Sequence, residues 1–287
     1  MFIKQQFDSN KLDFDELEDS FENSSAVQVS NLYSQDLCNE TIQYILNNEQ
    51  NLIETFKDDK RGLVVDEVKN RKFIKYFDKP LSCNYKLFSK FIVSQIFNIG
   101  RYLLKEEVFL QAFEVHSRCA YGTPIPPHQD NAYFGLERSK SLTFYVSLNP
   151  QYPDQGGLKY YKIPIGPTLK HESSSEPGFS LTVKNKNYEK LPIFSPTYKI
   201  GDCTIHHSTS IHFADEVPCD SDRVIVVRLS LHSISDYIKA GHKEWYEEMV
   251  KRRGGIKYIL NEIRFRKFTF KYFNLFENIL IFFISFI

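Results

Sequence analysis

Residues 201–231 read GDCTIHHSTSIHFADEVPCDSDRVIVVRLSL and contain two of the clearest β-type runs of the chain. The first run covers 202–207, and the second covers 223–231 and is the more apolar. Short segments of this kind, bounded by Gly, Asp or Pro, predict buried strands. The sequence therefore predicts one strand on each side of a histidine-rich turn.

Similar runs occur upstream, at 108–115, 141–148 and 157–163. Turn signals such as Gly156-Gly157 separate them. Several short strands with this punctuation are typical of a β-sandwich or a jelly roll. We expect a mainly β fold with flanking helices, whose core is a double-stranded β-helix of the jelly-roll, cupin-like kind.

A helical cover is predicted at 32–105, before these strands. Ser34 is a suitable N-cap for a helix over 35–47. A second helix is expected at 86–104, where apolar residues recur on one face. These two helices would cover one sheet of the jelly-roll core, which we place at 108–232.

The remaining segments flank or interrupt a single domain, which we place at 26–240. Residues 1–25 are acidic and are expected to form a loosely ordered lead-in. The polar stretch at 166–196 lies inside the core, and a long insertion of this kind is usually a lid or a disordered loop. After the domain, 241–287 is expected to hold a charged helix and then an apolar tail.

The apolar tail ends in ILIFFISFI (279–287), which is shorter than the roughly 20 apolar residues that a membrane span needs. We expect no transmembrane span. The tail can pack on the domain, join copies of the chain into a homo-oligomer, or lie at a membrane surface. The N-terminus lacks the basic and apolar regions of a signal peptide. The five widely spaced cysteines suit a reducing cytosol, so we expect a cytoplasmic location.

The composition argues against several classes of protein. Lys plus Arg and Asp plus Glu are 36 each, so the chain lacks the basic excess that is typical of nucleic-acid binding. The five cysteines are odd in number and widely spaced, which argues against a disulfide framework and a zinc-thiolate site. We expect a small-molecule substrate and no nucleic-acid partner.

The first chemical motif is His128-Gln129-Asp130. Residues i and i+2 of an extended segment point to the same face, so His128 and Asp130 can offer an imidazole and a carboxylate to one metal ion. Alone, a His-x-Asp sequence is a weak signal that more often marks a solvated turn.

The second motif holds His206, His207 and His212, three of the eight histidines of the chain. Imidazole suits iron, zinc or copper. Hydrogen-bonded core histidines in a His-rich turn are the alternative, which suits His206 best and His207 nearly as well. His128, Asp130 and His212 together would make the two-histidine, one-carboxylate set of non-haem Fe(II) oxygenases, which leaves other metal positions open.

The third motif is Arg223, which begins the apolar run at 223–231. A planar, permanently charged guanidinium can hold a carboxylate through two hydrogen bonds. We expect Arg223 to hold the distal carboxylate of an oxoacid that chelates the metal; a strand-edge residue that reaches water is the alternative. Arg228, five positions on, faces the other side of the strand and is assigned to a structural ion pair.

These motifs resemble those of the phytanoyl-CoA dioxygenase family of Fe(II)/2-oxoglutarate-dependent oxygenases, over about residues 113–230. HQDNAYF (128–134) resembles the first metal motif of the family, and GDCTIHHSTSIH (201–212) resembles its second. Arg223 follows His212 by eleven residues, as the oxoacid arginine of the family follows its distal histidine.

The resemblance implies a dioxygenase that uses Fe(II), O₂ and 2-oxoglutarate to hydroxylate a small-molecule metabolite, with release of succinate. It adds Gln129, Tyr145 and His207 to the residues expected around the oxoacid, with His207 hydrogen-bonded near the ligand set without being a ligand. The chain departs from the family at Pro127, where tryptophan is common, and at Ala214, which cannot donate the hydroxyl bond of the serine that is frequent there.

Two other functions stay open from the residues alone. One is a non-catalytic binding module that keeps a structural metal in the same jelly roll. Arg223 argues against it, because a structural metal has no need of an oxoacid clamp. The other is a zinc hydrolase with the same ligands, but no obvious general base stands beside His128 and Asp130.

Overall fold

The computed structural model describes residues 5–59, 62–120, 122–176, 179–218 and 222–241. The strands of these residues are β1 (Gln6–Asp8), β2 (Ala26–Ser30), β3 (Leu63–Val68), β4 (Arg71–Phe77), β5 (Val108–Arg118), β6 (Ile125–His128), β7 (Ser141–Ser147), β8 (Lys159–Tyr161), β9 (His171–Ser173), β10 (Leu181–Val183), β11 (Ile193–Phe194), β12 (Cys203–His207), β13 (His212–Ala214) and β14 (Val224–Ser233).

The α-helices are shorter in total and lie mainly before the strands of the core. They are α1 (Phe14–Ser24), α2 (Gln35–Phe56), α3 (Pro80–Cys83), α4 (Tyr85–Phe88), α5 (Ser94–Leu104), α6 (Asn131–Phe134) and α7 (Ile234–Lys239). Short 3-10 helices occupy Ser9–Lys11, Ser89–Phe91 and Lys186–Lys190.

Two sheets form the core. The large sheet has the strand order β1-β2-β12-β7-β14-β5-β4-β3, and the small sheet has the order β11-β8-β13-β6. When β5, β6, β7, β8, β11, β12, β13 and β14 are counted as the first to the eighth strand, the large sheet places the sixth, third, eighth and first side by side. The small sheet places the fifth, fourth, seventh and second side by side. This is the topology of a jelly roll, so the predicted fold class is confirmed.

Buried side chains from both sheets pack into one core between them. Tyr145 and Val226 come from the large sheet, and Tyr160 and Ala214 come from the small sheet. The hydroxyl of Tyr160 lies 2.7 Å from the hydroxyl of Thr204, so its polar end is satisfied although its ring is fully buried. The inner faces of the two sheets are therefore fixed relative to each other.

Helix α2 contacts the large sheet at β3 and β4, and α5 contacts it at β5 and β14. The side chain of Ser34 accepts a hydrogen bond from the backbone N–H of Leu37, so the predicted cap is confirmed, although α2 continues to Phe56. The helix predicted at 86–104 is interrupted, because the backbone at Val93 is extended and α5 begins only after it.

The predicted loosely ordered lead-in is instead built of regular elements. Strand β1 pairs with β2 in parallel and forms one edge of the large sheet. Asp13 caps α1, since its carboxylate accepts hydrogen bonds from the backbone N–H groups of Asp15 and Glu16. Acidic residues at the start of a helix satisfy free N–H groups and favour the helix dipole, so this acidity promotes order.

Strands β3 and β4 form a hairpin that the sequence analysis does not predict. Its turn is Lys69-Asn70, both with positive φ, as in the tight turns that match the twist of paired strands. Tyr76 of β4 pairs with His116 of β5, so the hairpin extends the large sheet beyond the jelly roll. The insertion at 166–196 is likewise ordered in part, since it carries the β9–β10 hairpin and β11.

No helix among the described residues is long and apolar enough to cross a membrane. The charged helix and apolar tail are predicted at 241–287, and all of this range beyond 241 lies outside the described residues.

Candidate metal centre

His128, Asp130 and His212 meet at adjacent strand ends of the small sheet. His128 is the last residue of β6, His212 is the first residue of β13, and the two are paired in register. Asp130 directly precedes α6. The three buried side chains each offer one ligand atom within 4.8 Å of the other two.

The distances suit a single ion. Oδ1 of Asp130 lies 3.8 Å from Nε2 of His128 and 3.6 Å from Nε2 of His212. Nitrogen and oxygen ligands lie roughly 2.0–2.2 Å from a bound zinc-like ion, so two of them can be at most about 4.4 Å apart. One cation can therefore contact all three atoms with little rearrangement.

Both imidazoles present the nitrogen that a metal needs. Nδ1 of His128 lies 2.8 Å from the carbonyl oxygen of Pro126, and Nδ1 of His212 lies 3.0 Å from that of Ser210. A carbonyl only accepts, so each Nδ1 carries the proton and each Nε2 keeps its lone pair. Burial lowers the pKa of His128 to about 3 and that of His212 to about 4, so both rings are neutral near pH 7.

The Asp130 carboxylate is oriented by the large sheet. Its Oδ2 accepts hydrogen bonds from Thr143 of β7 at 2.7 Å and from Arg228 of β14 at 2.8 Å, and it lies 3.3 Å from Nε2 of His206 on β12. Burial opposes ionisation, but the Arg228 charge and the His206 contact outweigh it and hold the pKa of Asp130 well below its usual range. Oδ1 is left free on the side of the two imidazoles.

A cavity of about 410 Å³ opens in front of these three residues, between the two sheets. Besides the metal cluster, the wall of the cavity includes His116 and Arg118 of β5 and Arg228 of β14. The rest of this wall includes four apolar residues, Ile125, Leu158, Val224 and Val226. A volume of this size accommodates a small molecule beside a metal ion.

Arg223 does not reach this cavity. Val224, Val226 and Arg228 of β14 line it, so strand alternation turns Arg223 to the opposite face. There its guanidinium is paired with Glu49 of α2 at 2.6 Å and also bonds to Ser117. This position does not fit the predicted role of an oxoacid anchor. Arg228 is in an ion pair, as predicted, with Glu114 and Asp130. Its predicted position on the face away from the site is wrong, because its side chain lines the cavity.

The other predicted residues divide between the cavity and its surroundings. Tyr145 lines the cavity, and its place beside an oxoacid stays a prediction. The Gln129 side chain is turned away and bonds to the backbone at Thr209 and Leu169, so it holds a loop in place. Among the predicted residues, therefore, only the metal cluster and Tyr145 share the cavity.

His206 and His207 occupy each other's expected places. His206 contacts Asp130 and lines the cavity, whereas His207 bonds to the hydroxyl of Thr209 and packs edge-on against Phe21. The sequence alone does not show which of the two histidines faces the cavity. All five residues of β12 are buried, so the strand has no polar, exposed face from which its inner side could be deduced. The pairing of His206 with Thr143, which itself bonds to Asp130, identifies the inner face.

The chain is similar to several proteins of known structure, although not by sequence. No family model matches the chain, and no curated protein matches its sequence. The crystal structure of EvdO2 from Micromonospora carbonacea var. aurantiaca is similar, with a TM-score of 0.60 and 16% identity over 78% of this chain and 91% of that one.

Two further solved structures are similar over much the same part of the chain. The non-heme alpha ketoglutarate dependent epimerase SnoN from nogalamycin biosynthesis has a TM-score of 0.59 and 15% identity, over 77% of this chain and 83% of that one. EctD from S. alaskensis, in a structure with 2-oxoglutarate and 5-hydroxyectoine, has a TM-score of 0.57 and 15% identity, over 77% of this chain and 76% of that one. At such identities the likeness shows a common fold.

Proposed function

We propose that the protein is a non-haem Fe(II)/2-oxoglutarate-dependent dioxygenase that hydroxylates a small-molecule metabolite. The observation that carries the proposal is the cluster of His128, Asp130 and His212, in which two neutral Nε2 atoms and one free carboxylate oxygen face the same point. This is the donor set of the facial triad, which binds Fe(II) through three positions and leaves others open. With iron, 2-oxoglutarate and O₂ bound, such a site would supply an oxidant for C–H bonds: one oxygen atom of O₂ would enter the succinate that forms from the oxoacid with loss of CO₂, and the other would enter the substrate as a hydroxyl group.

The surrounding residues hold the ligands in place for this chemistry. Backbone carbonyls fix the tautomers of His128 and His212, and Thr143, Arg228 and His206 fix the rotation of the Asp130 carboxylate. Outer hydrogen bonds of this kind orient metal ligands and typically change metal affinity by about 10–100-fold when they are lost.

The comparisons support this proposal through the shared fold. The SnoN structure is named as a non-heme alpha ketoglutarate dependent epimerase, and the EctD structure contains 2-oxoglutarate. Hydroxylation is the outcome that we propose for this chain, together with membership of the phytanoyl-CoA dioxygenase family and a cytoplasmic location. The cavity volume of about 410 Å³ favours a small-molecule substrate over a macromolecular one.

The proposal can be tested on the purified full chain by metal titration under argon and by succinate release in air. We expect one Fe(II) per chain and succinate formed from 2-oxoglutarate in an iron-dependent manner. His128→Ala, Asp130→Ala and His212→Ala should each abolish both signals. His171→Ala is the matched control, because His171 is a partly buried histidine outside the cluster, and it should keep both.

Metal binding without succinate formation under any substrate tried would instead indicate the non-catalytic module. Retention of iron-dependent turnover in the three cluster variants, or its selective loss in His171→Ala, would contradict the ligand assignment.

A further inference from the structure

A buried guanidinium without a counter-ion lies in the wall of the same cavity, at Arg118. This residue ends β5 and is only 7% exposed. Its three hydrogen bonds go to backbone carbonyl oxygens, those of Gly156, Thr123 and Asp215. A guanidinium has five N–H donors. Within the described residues its Nε has no partner, and no carboxylate forms an ion pair with it.

Such an arrangement is costly unless something else supplies the negative charge. A buried charge is usually paired, because the loss of hydration is not offset by neutral acceptors alone. Burial lowers the pKa of Arg118, because the acidic groups around it, Asp215 and Asp66 among them, form no ion pair with it and offset the loss of hydration only in part. The other two cationic arginines of this region are already neutralised, Arg223 by Glu49 and Arg228 by Glu114 and Asp130.

The register of the large sheet places Arg118 at the far end of the cavity from the metal cluster. Arg118 is paired with Val224, and directly paired residues of neighbouring strands point to the same face. Arg228, which contacts Asp130, lies four residues farther along β14, which is ~13 Å of strand. Val226 and Leu158 make the wall between the two ends apolar.

We infer that Arg118 holds the distal carboxylate of 2-oxoglutarate, the role for which the sequence pattern predicts Arg223. The inference rests on the proposed function, since it assumes that the oxoacid chelates a metal at His128, Asp130 and His212. A dicarboxylate that binds the metal at one end brings to Arg118 the missing negative charge at the other. The unpartnered Nε–H of Arg118 is then a donor available to that carboxylate.

Calorimetric titration under argon tests this inference without turnover. The Fe(II)-loaded protein is titrated with 2-oxoglutarate and with 2-oxopentanoate, which has a methyl group in place of the distal carboxylate. We expect the wild-type chain to prefer the dicarboxylate by ~30-fold or more, the effect typical of a buried charge pair. Arg118→Gln should lose most of that preference while its affinity for 2-oxopentanoate changes little.

Two further variants complete the design. Arg223→Gln is the matched control, because it removes a guanidinium from the opposite face of the sheet, and it should keep the preference for the dicarboxylate. Arg118→Lys keeps the charge without the planar fork, so it should retain part of the preference. Because the comparison is a ratio of two affinities within one variant, a partial loss of folded protein does not alter it.

The inference would be overturned if Arg118→Gln kept the wild-type preference for 2-oxoglutarate over 2-oxopentanoate, or if Arg223→Gln lost that preference. Either result would leave the proposed function intact. Failure of the metal-loaded wild-type chain to bind either oxoacid would overturn the proposed function itself, and this inference with it.

Discussion

At the scale of single residues, Asp130 shows how the site separates two tasks within one carboxylate. Oδ2 is occupied by donors from three strands of the large sheet, whereas Oδ1 faces the imidazoles of the small sheet. A side chain held this way loses little rotational freedom when a metal binds, since its orientation is already fixed. The two sheets thus share the construction of one ligand.

His206 provides a prediction at this scale. His206→Ala should lower Fe(II) affinity by ~10–100-fold, because it removes one of the groups that hold Asp130. His207→Ala should leave the affinity unchanged, because that ring bonds to Thr209 and does not face the cavity. Metal titration of both variants, with circular dichroism to verify folding, measures the difference.

Equal metal affinities in the two variants, or a larger loss in His207→Ala, would show that the inner face of β12 has been assigned incorrectly. The sequence pattern predicts the supporting role for His207, so the experiment also decides between the pattern and the structure.

At the scale of elements, Arg223 joins α2 to the large sheet. Its guanidinium bonds to Glu49 of α2, to the hydroxyl of Ser117 on β5 and to the carbonyl oxygen of Ile74 on β4. Three elements therefore meet at one cation, at the outer face of the sheet, where the helix covers it. This gives Arg223 a structural reason to be present that is independent of any oxoacid.

A double-mutant cycle tests this connection. Arg223→Gln and Glu49→Gln should each lower the free energy of unfolding by about 3–5 kcal/mol, because each leaves one buried charge unpaired. The double variant should lose much less than the sum of the two, since it leaves neither charge behind. Urea unfolding followed by circular dichroism gives the three values.

Additive losses in that cycle would mean that the pair is not coupled in solution. The metal affinity of Arg223→Gln serves as an internal control, and it should equal that of the wild-type chain.

The limits of prediction from sequence are also visible in particular elements. Ser34 fixes the start of α2, because a cap is a local hydrogen bond that the sequence encodes directly. The break before α5 is set by the extended backbone at Val93, although the apolar residues continue across it. The β3–β4 hairpin is charged and carries no clean alternation, so pairing with β5 determines its structure more than its own residues do.

The same reasoning applies to the candidate site. The metal cluster could be predicted because His128 and Asp130 are two residues apart on an extended segment, which fixes their common face. The role of Arg118 could not be predicted, since it depends on the lack of a paired carboxylate among the described residues of the folded chain. The face of the sheet on which Arg223 lies could not be predicted either, because no alternation of residues precedes a position at the start of a strand.

At the scale of the whole molecule, the jelly roll closes before the apolar tail begins. The last described helix, α7, is tied to the domain by Asp236, whose buried carboxylate accepts hydrogen bonds from the backbone N–H groups of Arg138 and Lys140. The eighth strand of the jelly roll, β14, ends at Ser233. Both sheets and all of the candidate site residues therefore lie upstream of Gly241.

A truncated chain that ends at Gly254 should keep both the fold and the site. We expect its Fe(II) and 2-oxoglutarate affinities to match those of the full chain, because no described contact of the cavity involves a residue beyond Arg228. The matched control is a chain that ends at Ser233. It removes α7 and leaves the N–H groups of Arg138 and Lys140 without their acceptor, so it should unfold at lower urea concentration.

The truncation also tests what the apolar tail does in solution. An apolar run promotes association where it is exposed, so the full chain should sediment as a larger species than the chain ending at Gly254 if the tail joins copies. A folded chain ending at Gly254 that binds neither ligand would show that the site needs the tail. A full chain that must be extracted with detergent, while the truncated chain remains in the aqueous fraction, would assign the tail to a membrane surface instead.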